Sequence, residues 1–160
     1  MNQKYWLLMA AITAAVLLSI KGSSIMTRGI RNKNPANIRG SKAFKWNGEV
    51  GRDNKDFVIF DTPVNGIRAI ARTLHTYKTK HGLNTIEGII SRWAPPLGND
   101  GKFENDTNSY IAHAEKAVGV PRNMPLTPDK YPSLIKVIIK HENGVQPYTD
   151  EVINAGIAAA

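Results

Sequence analysis

The stretch Tyr131–Gly144 reads YPSLIKVIIKHENG. Pro132-Ser133 has the character of a helix start, Leu134 to Glu142 is the most apolar helical pattern of the folded part, and Gly144 is placed to end it. Tyr131, Ile135, Ile138, Ile139 and Glu142 share one stripe, so the carboxylate continues the apolar face of a core helix at its C-terminal end. Partial burial and the negative end of a helix dipole both disfavour the charged form of such an acid, which suits a general acid. The competing reading is a frayed helix end with Glu142 pointing to water.

Working outward, helices dominate. Thr62-Pro63 opens one, with Ile67, Ile70, Ala71, Leu74 and Tyr77 at helical spacing and Gly82 as its stop. Asn84 with Glu87 reads as a capping box ahead of Ile86, Ile89, Ile90 and Trp93, and Pro95-Pro96 ends that helix. Asp106 or Thr107 begins a helix with Tyr110, Ile111, Ala114 and Val118 on one face, and a last helix runs from about Thr149 to Ala159. Residues 28–43 read as a structured loop. Asn47-Gly48 reads as a tight hairpin turn, and Phe57 to Phe60 as a short strand. The expected fold class is mainly α (α+β), with a small β-element and no large sheet.

The chain has 160 residues, 21 Lys+Arg against 13 Asp+Glu, and no cysteine. That length suits one folded domain. The lack of cysteine excludes a disulfide scaffold, a thiolate zinc finger and a cysteine nucleophile. Residues 28–55 carry eight bases against Glu49 and Asp53, whereas residues 99–160 have an acidic balance. The basic surplus points to a polyanionic partner: nucleic acid, anionic lipid or acidic cell-wall polymer. Residues 5–20, YWLLMAAITAAVLLSI, are uncharged. As a helix they cover roughly 24 Å, a little short of a hydrocarbon core of about 30 Å. No small-x-small cleavage site follows, so residues 1–22 read as a signal-anchor helix contacting the lipid bilayer through residues 5–20, and 23–27 as a tether. The expected location is then membrane-anchored, either on the host inner membrane facing the periplasm or on a virion membrane.

Other chemistry is sparse. His75, His81, His113 and His141 form no HExxH and no paired metal spacing, the serines lie in no nucleophile elbow, and no phosphate-cradling glycine loop occurs, so neither metal nor cofactor is expected. Glu49 and Asp53 are the remaining acids near aromatic surface, Asp61 and Asp106 being helix-start residues. The polar segment 99–110, together with Trp46, Trp93 and Tyr110, has the composition of a sugar cleft, in which aromatic faces cover pyranose rings and amides bond hydroxyls.

Several phrases also resemble a known family. Residues 28–39, RGIRNKNPANIR, are similar to the RGIRNNNPGNIR opening of a bacteriophage family of virion and muralytic proteins. Further matches, in order, are Trp46-x-Gly48, Phe57-x-x-Phe60, Gly66-Ile67-Arg68-Ala69, Thr85-x-x-x-Ile89-Ile90-x-x-Trp93-Ala94-Pro95-Pro96, Asn105-Asp106-Thr107-x-x-Tyr110-Ile111 and Glu142-Asn143-Gly144. The resemblance covers about residues 28–158. It implies a lysozyme-like domain over 28–160, of lytic transglycosylase or glucosaminidase type. No glutamate-bearing helix precedes the Asn34 segment, and Glu142-Asn143-Gly144 stands at the other end, so the implied arrangement is circularly permuted. Two departures stand out: Ala36 replaces the family's usual glycine, and Gly101-Lys102-Phe103 looks inserted before Glu104.

The expected function is therefore cleavage of the β-1,4 glycan strand of peptidoglycan, by transglycosylation or hydrolysis, in wall penetration or lysis. Glu142 would be the general acid, and Tyr110 with Asn37 would stabilise the intermediate. Asn34, Asn37, Trp46, Trp93, Asn105 and Thr107 would bind substrate, with Glu49 as the alternative acid. The rival expectation is a non-catalytic virion structural protein of the same fold, binding membrane or nucleic acid through its basic segment.

Overall fold

A computed structural model of the chain describes residues 26–98 and 100–160. A single helical turn, α1 (Arg28–Arg31), starts the described part. Strands β1 (Glu49–Arg52) and β2 (Val58–Phe60) follow, then helices α2 (Pro63–His81), α3 (Ile86–Trp93) and α4 (Thr107–Val118). A 3-10 turn at Pro128–Lys130 leads directly into α5 (Tyr131–Asn143), and α6 (Asp150–Ala158) completes the order.

Local chemistry accounts for the helix ends. The side chains of Thr62, Thr85, Asp106 and Thr149 each accept the amide of the residue three positions on, a cap that contributes about 1 kcal/mol apiece. Gly82, Gly119 and Gly144 end α2, α4 and α5 in the left-handed conformation. The cap of α3 is Thr85 rather than Asn84: the Thr85 hydroxyl lies 3.1 Å from the Gly88 amide, and the Asn84 carbonyl instead accepts from Leu126.

The strands form one antiparallel pair, with Glu49 opposite Phe60, Gly51 opposite Ile59 and Arg52 opposite Val58, irregular between Glu49 and Gly51. The hairpin turn is thus at Asp53–Phe57, where the Asp53 amide donates to the Phe57 carbonyl and the Asp53 carboxylate caps the amides of Lys55 and Phe57. Asn47-Gly48 makes a separate turn ahead of β1, with Gly48 at φ +73°. The Asx-type bonding of Asp53 selects the turn.

Helix α5 lies at the centre. Its Leu134, Ile135, Val137, Ile138 and Ile139 are buried together with Ile67, Ile70 and Leu74 of α2, Ile86, Ile89 and Ile90 of α3, Tyr110, Ile111 and Ala114 of α4, and Ile153 of α6. Burying one such aliphatic side chain is worth about 1.5–3 kcal/mol. A smaller cluster of Val58, Phe60 and Ala69 joins the hairpin to α2, with Trp46 packed on it. Two glycines permit close approach: a Cβ on Gly66 would come within 2.1 Å of the Lys33 carbonyl, and one on Gly156 within 2.5 Å of the Ile67 side chain.

One part of the expected architecture is corrected. Among the described residues no helix is long and apolar enough to cross a membrane. The longest, α2, carries Arg68, Arg72, Lys78 and Lys80 along its exposed side, and α5 is apolar because it is the core of a domain. The expected transmembrane helix falls on residues 5–20, outside the described residues. An α+β domain preceded by a membrane helix, and a membrane-anchored location, are accordingly not supported. The described part is a mixed fold of helices and one two-stranded sheet.

Candidate functional site

Glu142 lies in the last turn of α5, half-buried. Its Oε2 accepts from Asn37 Nδ2 at 3.2 Å, and its Oε1 accepts from Trp93 Nε1 at 3.2 Å. The two donors come from distant parts of the chain, and each is held by its own surroundings. Asn37 sits at φ +49°, a left-handed conformation that asparagine tolerates better than most residues. The positive φ therefore falls on Asn37 and not on Ala36, so the alanine at 36 does not strain the loop.

Two buried amides clamp that loop. Asn34, fully buried, donates to the carbonyls of Ile38 and Val58 at 2.8 Å and accepts from the Ile38 amide at 2.9 Å, tying the loop to β2. Asn143 donates to Pro35 O at 2.7 Å and to Ile139 O at 2.9 Å, and its oxygen accepts from the Thr27 hydroxyl at 2.7 Å. The residue next to the acid thus fastens the Asn37 loop to the helix that carries the acid. On the other side Trp93 ends α3, and its ring meets Tyr77 edge-on at 6.5 Å.

Tyr110 is only 1% exposed and stacks on His141 at 3.6 Å between ring centres. Its hydroxyl has no hydrogen-bond partner among the described residues. Burial and then the neighbouring Glu142 charge both push the phenol far above its ordinary pKa, so it stays a neutral O–H. His141 is held below its usual value, chiefly by burial and also by His113, against the opposing pull of Glu142.

The carboxylate faces a groove of about 470 Å³. Besides Glu142, Asn37 and Trp93, its walls include Tyr77 and Thr73 of α2, a second carboxylate, Glu104, and the guanidinium groups of Arg28 and Arg39. Both arginines lie over the Phe57 ring, at 4.7 and 4.5 Å from its centre, a cation–π arrangement that fixes them at the rim. The site combines an oriented acid, amide and indole donors, aromatic surface and a second acid. Among the described residues, no three His, Cys, Asp or Glu side chains form a metal-binding group.

Protein P5 of Pseudoalteromonas phage PM2 is 48% identical to this chain over 132 residues, which are 81% of this chain and 79% of the relative. The chain belongs to the Protein P5 family. No family model matches it. The relative is a bacteriophage protein.

In this member of the Protein P5 family the expected site residues do not all meet. Glu142, Asn37 and Trp93 meet in the groove, and Tyr110 lies behind them, buried rather than lining it. Asn34, Asn105 and Thr107 bond backbone carbonyls: the Asn105 amide reaches Pro95 at 2.8 Å and the Thr107 hydroxyl reaches Ala94 at 2.6 Å, holding the wall loop in place. Trp46 lines an adjoining groove, not this one.

Glu49 serves the hairpin. It is 8% exposed, accepts the Trp46 amide at 2.9 Å and pairs with Arg52 at 3.0 Å. Burial raises its pKa, but the amide bond and Arg52 outweigh this and hold the carboxyl below its ordinary value. Asp53 is similarly engaged by Asn32 and Arg28. Sequence reasoning missed Glu104, Thr73, Tyr77 and the rim arginines as groove residues. Glu104 had one sequence signal, its position directly after the inserted Gly101-Lys102-Phe103. Arg28 and Arg39 had another, their place in the basic 28–55 segment, whereas Thr73 and Tyr77 on α2 had none, since the acid they face is remote in sequence.

Proposed function

We propose that this Protein P5 family member cleaves the β-1,4 glycan strand of peptidoglycan, with Glu142 as the general acid. The observation that carries the reading is the Glu142 carboxylate in an open groove, held by Asn37 and Trp93 at one oxygen each. Each oxygen retains a lone pair for the proton to be transferred. Protonation of the glycosidic oxygen lets the C1–O bond break, its electron pair passing to the departing sugar. The cation-like sugar is then captured either by its own 6-hydroxyl, whose proton returns to Glu142, or by water that gives its proton to Glu104, the other carboxylate lining the groove. The first route leaves a 1,6-anhydro end and the second a reducing end. The buried Tyr110 phenol stays neutral near Glu142, and Trp93 and Tyr77 supply ring surface for a sugar face. A lysozyme-like arrangement with the acid returned from the C-terminal side fits this placement.

The test uses the full-length chain and its Glu142→Gln variant on purified peptidoglycan, with mass analysis of soluble fragments. The parent is expected to release fragments and the variant to lose at least about 100-fold in rate, the usual range for a general acid. Equal cleavage by both would move the acid elsewhere. No cleavage by either folded protein would favour the non-catalytic, binding role.

A further inference from the structure

A second groove, of about 490 Å³, adjoins the first, and the two share Thr73 and Tyr77 of α2 as lining. Their chemistry differs. The Glu142 groove sets two carboxylates, Glu104 and Glu142, beside two guanidiniums, Arg28 and Arg39, whereas the second has no carboxylate side chain in its walls and three cations: Lys45, Arg68 and Arg72. Phe44 and Trp46 line the same groove, in edge contact at 5.1 Å, with Phe44 more than half exposed. Trp46 is anchored on the cluster beneath it, so its ring has a fixed place.

The arginines are held before any ligand arrives. Arg68 and Arg72 are one turn apart on α2, on the same face. Arg68 Nε donates to Ala159 O at 2.8 Å, and Arg72 Nη1 donates to Ala160 O at 3.1 Å. A guanidinium has five N–H donors, so each bond orients the group while leaving most of its donors for another acceptor. An aromatic wall with oriented guanidiniums is suited to a sugar that bears a carboxylate, because the planar fork matches a carboxylate in two parallel bonds. An anion is drawn more strongly here than to the groove next door, where Glu104 and Glu142 offset Arg28 and Arg39, so charge favours one register of a strand across both grooves.

Building on the cleavage reading, we infer that the Phe44–Trp46–Arg72 groove is an anion-selective extension of the acid groove, which holds a carboxylate-bearing substituent of the glycan strand. The carboxylate has two sources in peptidoglycan, the lactyl ether of the strand itself and the stem peptide attached to it.

The full-length Glu142→Gln protein, which leaves its ligand intact, is titrated calorimetrically with three tetrasaccharides: a chitin fragment without charge, a peptide-free wall fragment, and the same fragment with stem peptides. A carboxylate-bearing fragment is expected to bind about tenfold tighter than chitin, a charge-assisted bond being worth that much, and the preference should shrink with salt. Arg72→Gln and Arg68→Gln should abolish the preference without weakening chitin binding. Lys45→Gln, an exposed position without contact to the C-terminal residues, should reduce it and guards against loss of α6 packing. A preference already complete with the peptide-free fragment assigns the lactyl group, and one that appears only with peptides assigns the stem; either supports the inference. Equal binding of all three fragments, a preference unaffected by the three substitutions, or displacement of every fragment by a single-stranded oligonucleotide would overturn it. The two readings fail separately: cleavage without charge preference removes only this groove's role, and charge preference without cleavage by the parent removes only the enzymatic role.

Discussion

Asn37 Nδ2 donates to Glu142 Oε2 at 3.2 Å across 105 positions of sequence. The bond joins a loop near the start of the described chain to the end of its central helix, and it exists because Asn143 and Asn34 hold that loop from two sides. The acid is therefore oriented by a residue whose own placement depends on most of the fold.

Replacing Asn37 separates orientation from stability. Asn37→Gly loses the bond to Glu142 and relaxes the positive φ, while Asn37→Ala loses the bond and meets the backbone penalty of about 1 kcal/mol. Both variants are expected to cleave peptidoglycan about tenfold more slowly, through the misplaced acid. Only the alanine variant should show a lower Tm. Normal rates in the glycine variant would remove Asn37 from the positioning role.

Under the proposed cleavage, Glu104, the second carboxylate lining the groove, would choose between water and the sugar's own hydroxyl. Glu104→Gln is expected to raise the proportion of 1,6-anhydro ends among the soluble fragments, read by mass, with little change in stability because the side chain is exposed. If the parent already yields anhydro ends alone, Glu104 has no part in the reaction.

Two glycines offer a comparison of space against conformation. Gly66→Ala places a methyl 2.1 Å from the Lys33 carbonyl, a backbone atom that cannot swing away, whereas Gly82→Ala meets nothing within 4 Å and only strains φ +67°. Urea unfolding should show a loss of about 1 kcal/mol for Gly82→Ala and a larger one, about 3 kcal/mol, for Gly66→Ala. Equal losses would mean that the 33–35 loop moves freely on α2.

Acid sensitivity follows from Glu49. Its carboxyl titrates below the ordinary value of 4.5 in the folded protein, so its ionised form stabilises the fold above that pH. The contribution is lost as pH falls from 4.5 through the lower folded value. Glu49→Gln should lower the urea midpoint at pH 7 and flatten its decline below pH 4.5. A variant whose midpoint declines as steeply as the parent's would show that Asp53 and Asp61, also held below their usual value, carry the effect.

Much of the helical frame was legible residue by residue. Thr62, Asp106 and Thr149 cap helices, and Gly82 and Gly144 end them, because capping is decided within one turn of chain. The Asn47-Gly48 hairpin was misread for a related reason: a turn dipeptide specifies a local bend and not the strand that pairs beyond it, and the Asp53 side chain made a better turn five residues on. The membrane helix expected on residues 5–20 lies outside the described residues, among which no helix is long and apolar enough to cross a membrane.

For the site, the stripe on α5 determined by itself that Glu142 stands at the end of a buried helix, since helical periodicity relates residues three and four apart. Only the tertiary structure decided that Asn37 and Trp93 hold its oxygens, that Glu104 shares its groove, and that Glu49 belongs to an ion pair with Arg52. These outcomes rest on contacts between segments whose separation in sequence carries no distance information. The chain's own chemistry supplied the groups, and the packing of α5 against its neighbours determined which of them meet.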